Sequence, residues 1–434
     1  MAETEFPTGR LLKMLGETAQ RSSALHQQFL QARRTALLAM QQLIEQQIAG
    51  SAGSHAAARP ALFDSARLDE FGVGQISRCL GPAFARYDQR CIPRIPNGDL
   101  KMMSRITAIT GRAGDWSQPA SVVAEYDVPV DSWYLRDNSY PEIPASLYME
   151  IALQPCGFLS AYLDTYALVP YDAFYFRNLD GSARVEANVD VRGQTIITQA
   201  RMLTSVASSG TVVQKFAFEL SCQGQVIYAG ESTFGYFSTE SMANQVGLDG
   251  GRSVAPLIQA DPAVARQAVW VKPLQAALPG ARGPYYRPAQ GRMNFVDEVA
   301  IAEGGRYGKG YLYARRAINP QDWFYPFHFY QDPVMPGSLG VEAIIEAMRV
   351  YGLVKDLGSG LRSPRFGPAP GAAPMTWRYR GQITQQHKQM ELEVHLSAVD
   401  RRENNTVMLG DASLWVDGLR IYELKNVAVG ILEA

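Results

Sequence analysis

Cysteine is scarce. Cys79, Cys91, Cys156 and Cys222 are the only four in 434 residues and form no Cys-x-x-Cys pair, which argues against a zinc site and against a disulfide framework. They read as reduced packing thiols. Charge of one sign is lacking too: 41 Lys and Arg face 42 Asp and Glu, so no field exists to hold a nucleic acid or an anionic membrane. Apolar runs stay short of a membrane span, and the opening "MAETEFPTGRLLK" lacks the basic-then-apolar order of a secretory signal. The expectation is a cytoplasmic chain with no membrane insertion. Histidine is rarest, five in all, with none between His55 and His328. Imidazole chemistry must come from near the ends of the sequence.

What is present falls into unlike stretches, too long together for one ordinary core. Residues 9–47 carry Leu, Met and Ile at three- and four-residue intervals among Gln, Arg and Glu, the pattern of an amphipathic helix. "AGSAGSHAAARPA" follows and reads as a linker, leaving His26 and His55 solvated. Beyond Cys91, "MMSRITAI", "ASVVAEYDV", "ARVEANVDV", "TIITQARML", "VVQKFAFEL" and "QVIYAGESTFGYF" predict strands. A second strand-rich stretch begins near Arg287 with "GRMNFVDEVAI" and "GKGYLYARRAI" and closes with "MELEVHLSAV", "TVMLGDASLWV" and "LRIYELKNVAVGIL". Each set encloses one segment too long for a strand and apolar nearly all round, Ile143 to Leu163 and Ser338 to about Val354, which predicts two buried helices.

The two sets align. Pro144-Ala-Ser-Leu-Tyr-Met-Glu150 matches Pro336-Gly-Ser-Leu-Gly-Val-Glu342 at an offset of 192, and Arg192-Gly-Gln194 matches Arg380-Gly-Gln382 at an offset of 188. Ordered identities of this kind suggest duplication of one α+β unit, a sheet about a helix, laid side by side as a fused dimer. The organisation expected is a helical arm and linker over 1–60, a first unit over 61–245, a crossing linker over 246–286 and a second unit over 287–434.

One string is longer and more specific. "WFYPFHFYQDPVMPGSLGVEAI", followed by "WRYRGQI" and "VDGLRIYELKNVAVGI", resembles the β-hydroxydecanoyl-ACP dehydratase/isomerase family, and more closely the dehydratase modules of polyunsaturated fatty acid synthases. The resemblance implies an α+β double hot-dog, two antiparallel sheets each wrapped around a central helix as a pseudo-dimer, with an N-terminal helical arm. It implies dehydration of a 3-hydroxyacyl group, carried on the phosphopantetheine of an acyl carrier protein, to the trans-2-enoyl product, with isomerisation left open. No metal or organic cofactor is implied. The expected partners are the acyl carrier protein and other modules of a fatty acid or polyketide-type synthase; homodimerisation is left open.

Such an elimination needs a base for the α-proton, a proton donor for the departing hydroxide and a hydrogen-bond donor for the thioester oxygen. His328 suits the base. The amide of Gly337 opens the second helix where the dipole favours negative charge, and in the resembled family this glycine amide meets the thioester. There the carbonyl matching Val334 orients the histidine; Pro336, Ser338 and Phe329 are taken as substrate contacts. Glu342, 14 residues after His328, stands where the family keeps its acid. The family pattern, however, is Asp-x-x-x-Gln. Glu150 with Gln154 keeps that spacing, whereas Glu342 is followed by Glu346, and the first unit has Arg136 where its histidine would stand. The acid expected is therefore Glu150, held by Gln154 and lent across the units, with Glu342 in a defunct pseudo-site.

Blander readings stand beside these. Glu150 as a buried glutamate paired with Arg136, Asp332 and Pro333 as turn formers, Cys156 and Ser338 as tunnel walls, and His387 and His395 as packing or surface groups all satisfy the same residues. A hot-dog acyl thioesterase and a non-catalytic acyl-binding module are the rival functions.

Overall fold

Two helices organise the chain because their sequences leave almost no polar face. Helix α1 (Ala145–Tyr162) and helix α2 (Gly337–Val354) each start after a proline, Pro144 and Pro336, whose fixed φ suits that boundary and whose missing N–H costs no bond there. Nearly every side chain on both is buried, including the polar Ser146, Glu150, Gln154, Ser338, Glu342, Glu346 and Arg349. Fully burying one leucine or isoleucine of this kind stabilises the fold by about 1.5–3 kcal/mol. The computed structural model describes residues 60–434 apart from Ser117 and Ser209. The amphipathic arm over 9–47 lies outside the described residues.

Around the helices runs one antiparallel sheet. Its first part comprises β1 (Arg105–Thr110), β2 (Ala120–Asp127), β3 (Phe174–Val185), β4 (Thr195–Ser208), β5 (Thr211–Cys222) and β6 (Gln225–Ser238), in the order β1-β2-β4-β5-β6-β3. The second part comprises β7 (Val269–Val271), β8 (Glu298–Ala302), β9 (Tyr311–Ala317), β10 (Pro364–Gly367), β11 (Met375–Tyr379), β12 (Gln389–Arg401), β13 (Asn405–Val416) and β14 (Leu419–Glu433). It continues from β3 as β11-β14-β13-β12-β9-β8-β7, with β10 paired to β14. Every second residue of β5 is buried, as a strand with one face on a helix requires, and α1 lies against β2, β4 and β5. Helix α2 lies likewise against β8, β9 and β12 to β14, and the two helices touch each other.

β3 and β11 make the join. Gly181 sits opposite Trp377, whose indole lies so close that a Cβ on Gly181 would fall 2.0 Å from it. The Trp377 Nε1–H donates to Asn178 Oδ1 at 2.9 Å, so the ring is pinned across the join. Sequence patterning places the third strand at Ala183 and onward; it begins at Phe174. The segment expected as a plain linker, 246–286, supplies the edge strand β7 and two short helices, Leu257–Ala260 and Pro262–Gln267. They are latched to the sheet by Glu393, whose Oε2 accepts from the amide of Leu257 at 2.8 Å. The buried His395 lies beside Glu393, with its Nε2 3.3 Å away. The four cysteines are free thiols.

Candidate active site

The string around His328 folds into a tight loop because its backbone closes on itself. Val334 N–H donates to the carbonyl of His328 at 2.8 Å, and Phe329 and Asp332 exchange amide bonds at 3.0 and 3.2 Å. The His328–Phe329 peptide is cis. His328 Nδ1 lies 3.0 Å from the Val334 carbonyl, which can only accept; the proton therefore resides on Nδ1 and Nε2 keeps its lone pair. Burial holds the imidazole uncharged, lowering its pKa to about 3 against the bond to Val334, and the nearby Arg177 pushes the same way.

The first part of the chain grips this loop. Asn97 N–H and Nδ2 donate to the carbonyl of Phe327 at 2.9 and 3.2 Å. Arg177 on β3 makes a bidentate pair with Asp332 at 2.6 and 2.7 Å and donates through Nε to Gln382 at 2.6 Å. Asp332 thus does more than form a turn: it anchors the loop to the other half. Sequence reading missed Arg177, which carries no motif of its own. A faint signal existed, since Arg365 stands 188 residues further on, the offset of the Arg-Gly-Gln match, and likewise pairs with an acid, its Nη1 donating to both Glu142 oxygens at 2.8 and 2.9 Å.

Facing the loop is α1. Glu150 Oε1 accepts from the hydroxyl of Ser338 at 2.7 Å, and Oε2 accepts from Gln154 Nε2 at 3.3 Å. Gln154 is itself fixed, donating to Leu100 O at 2.8 Å and accepting from Met102 N–H at 2.9 Å. Burial raises the pKa of Glu150, with the two donors opposing it. Arg136 is not its partner: that side chain is exposed and pairs with Asp131. At the start of α2 the Pro336 carbonyl is taken by Leu339 and Gly340, and no side chain caps the first turn. Gly337 is required there, because a Cβ would come 2.9 Å from the Tyr379 ring.

His328, Phe329, Val334, Gly337 and Ser338 line one cavity of about 310 Å³ together with Glu150 and Gln154, its remaining walls including Met149, Leu153, Phe176, Phe234 and Tyr422. Pro336, Cys156 and Glu342 are not among the lining residues. Cys156 is buried in the core instead. Glu342 is fully buried elsewhere, accepting from Ser146 Oγ at 2.6 Å and paired with Arg349 at 2.9 Å. Arg349 reaches Asn138 Oδ1 and Tyr140 Oη at 3.3 and 3.5 Å. A second cavity, about 60 Å³, is lined by Ser146, Val341 and Ile345 at places equivalent to Ser338, Met149 and Leu153. No group of three or more His, Cys, Asp or Glu suited to a metal occurs among the described residues. Among them no helix is long and apolar enough to cross a membrane.

Residues 288–425 match the FabA-like domain family. These residues of the chain are a FabA-like domain. Over 387 residues the chain is 36% identical to one of the subunits of the polyunsaturated fatty acid synthase of Thraustochytrium sp., covering 84% of this chain and 26% of that protein. The chain therefore spans about a quarter of that relative. Among solved structures, the dehydratase domain of the CurJ module of curacin polyketide synthase has a TM-score of 0.42 at 10% identity, covering 78% of this chain and 98% of that one. A putative oleoyl thioesterase from Lactobacillus plantarum scores 0.39 at 9% identity, with 73% and 98% covered.

Proposed function

We propose that the chain is a 3-hydroxyacyl thioester dehydratase, acting on substrate delivered by an acyl carrier protein inside a fatty acid or polyketide-type synthase. In this reading it is a double hot-dog with units over 61–245 and 287–434, and one working site. The observation that carries the reading is the convergence of His328 from one half and Glu150 from the other on a single apolar cavity at the uncapped start of α2.

The acyl chain lies along Met149, Leu153, Phe176 and Phe234. His328 Nε2 takes the α-proton, and charge developing on the thioester oxygen meets the Gly337 amide. Glu150 gives its proton to the β-hydroxyl, which leaves as water, and the trans-2-enoyl thioester remains. The resting balance then restores itself: the buried imidazole disfavours its new proton and the buried carboxylate favours one. One side chain takes a proton and the other gives one, so the step as proposed calls for no metal or organic cofactor.

The test uses purified protein and a 3-hydroxyacyl-N-acetylcysteamine thioester, watching enoyl absorbance. Turnover by the unmodified chain and its loss in His328→Ala support the reading. Equal rates for the two, or release of free acid with the hydroxyl retained, overturn it.

A further inference from the structure

The two central helices exchange serine hydroxyls. Ser338, second residue of α2, donates to Glu150 on α1 at 2.7 Å; Ser146, second residue of α1, donates to Glu342 on α2 at 2.6 Å. Taken alone, this symmetry describes a tie between helices. What else holds each carboxyl breaks the symmetry.

Glu342 has the guanidinium of Arg349 at 2.9 Å. Among the described residues no cation lies within ion-pair distance of Glu150, whose side-chain partners are Ser338 and, more distantly, Gln154 at 3.3 Å. A carboxyl desolvated without a cation has its acidity and direction set by neutral donors, and the hydroxyl is the closer of the two. Ser338 also follows Gly337 in the chain. The group that fixes Glu150 Oε1 therefore sits on the same helical turn as the amide assigned to the thioester oxygen.

We infer that Ser338 is a positioning residue, holding Glu150 Oε1 at a set distance from the Gly337 amide and keeping the carboxyl acidic enough to release its proton to the β-hydroxyl. This rests on the reading of Glu150 as the acid. Ser146 does nothing comparable, since Glu342 already has the Arg349 guanidinium as its partner and does not line the His328 cavity.

The experiment compares Ser338→Ala with Ser146→Ala in the full chain; alanine suits a helix, so both variants keep the fold. The infrared band of the protonated Glu150 carboxyl, assigned by its disappearance in Glu150→Gln, is titrated without substrate, and kcat and KM are followed against pH in parallel. Losing one donor raises the Glu150 midpoint by about 0.5–1 pH unit in Ser338→Ala. The alkaline limb of kcat moves the same way, and kcat falls roughly tenfold with KM little changed. Ser146→Ala moves neither midpoint nor limb. An unmoved midpoint in Ser338→Ala, or an equal displacement in Ser146→Ala, overturns the inference. A displaced midpoint in a chain that dehydrates nothing upholds the hold of Ser338 on Glu150 and strikes the dehydratase reading alone.

Discussion

Arg177 and Asp332 lie 155 residues apart in sequence and meet through two parallel hydrogen bonds of 2.6 and 2.7 Å. This fork is the strongest side-chain link between the His328 loop and the other half of the chain, because a planar guanidinium matches a carboxylate in both distance and direction. Arg177→Ala frees the loop and is expected to lower kcat/KM by about 10–100-fold, the scale of a small misplacement of a catalytic group. Arg365→Ala breaks the equivalent pair with Glu142 and leaves the rate unchanged. Steady-state kinetics on both variants decide it; equal losses would show the fork to be a general brace.

The two helix carboxylates are expected to respond oppositely to the same replacement. Glu150→Gln removes the proposed proton donor and is expected to lower kcat by about 10²–10⁴-fold while stability holds or rises. Glu342→Gln leaves turnover near that of the unmodified chain but strands the buried Arg349 charge, costing about 3 kcal/mol in denaturant unfolding. The reverse ranking of rates would move the acid to α2.

The pH dependence follows from the two shifted groups. His328, depressed to about 3, stays uncharged across the working range, so it sets no acid limb near neutrality. Glu150 is raised, so it remains protonated beyond the ordinary carboxylate range and activity falls on the alkaline side as it ionises. Stability carries its own sign. Unfolded histidine binds a proton near its usual pKa of about 6.5, which the folded chain resists until about 3, so this group destabilises the fold as pH drops through that window. The Glu150 contribution is full below the unfolded carboxyl pKa and declines as pH rises towards its folded value. A kcat/KM profile with one alkaline limb is expected; an acid limb near pH 6.5 in the unmodified chain would contradict it.

Gly181→Val tests the join between the halves. Its new side chain would enter the space of the Trp377 indole, since even a Cβ lies 2.0 Å away, and overpacking of this kind costs about 1–3 kcal/mol. Trp377→Ala in the same background is expected to recover part of that loss, read as a non-additive double-mutant cycle. Strict additivity would mean that the two positions do not meet.

How much of this was legible depended on the range of the interaction. The two helices showed themselves as long apolar segments after proline, and β5 as a period-two pattern, because local burial writes a local signal. The start of β3 gave none. "FYFRNLDGS" is half-buried along its length, with polar residues facing the join, so no alternation marks it as a strand. Glu150, which lines the cavity with His328, was singled out by its spacing to Gln154, four residues away on the same helix, and by the missing histidine in the first half. Arg177 and the hydroxyl of Ser338 act across 155 and 188 residues, where no periodicity reaches. The 14-residue spacing of Glu342 from His328 says nothing about whether the two share a cavity, and Glu342 does not line that of His328.

Both walls of the cavity that holds His328 and Glu150 are carried by one polypeptide and stitched along β3 and β11. A cleft shared between separate chains empties on dilution, since its halves must find each other by collision, whereas covalent tethering fixes their local concentration whatever the bulk concentration. Specific activity here is accordingly expected to stay level down to the lowest protein concentration an assay can read, because the cavity needs no encounter between chains to be complete.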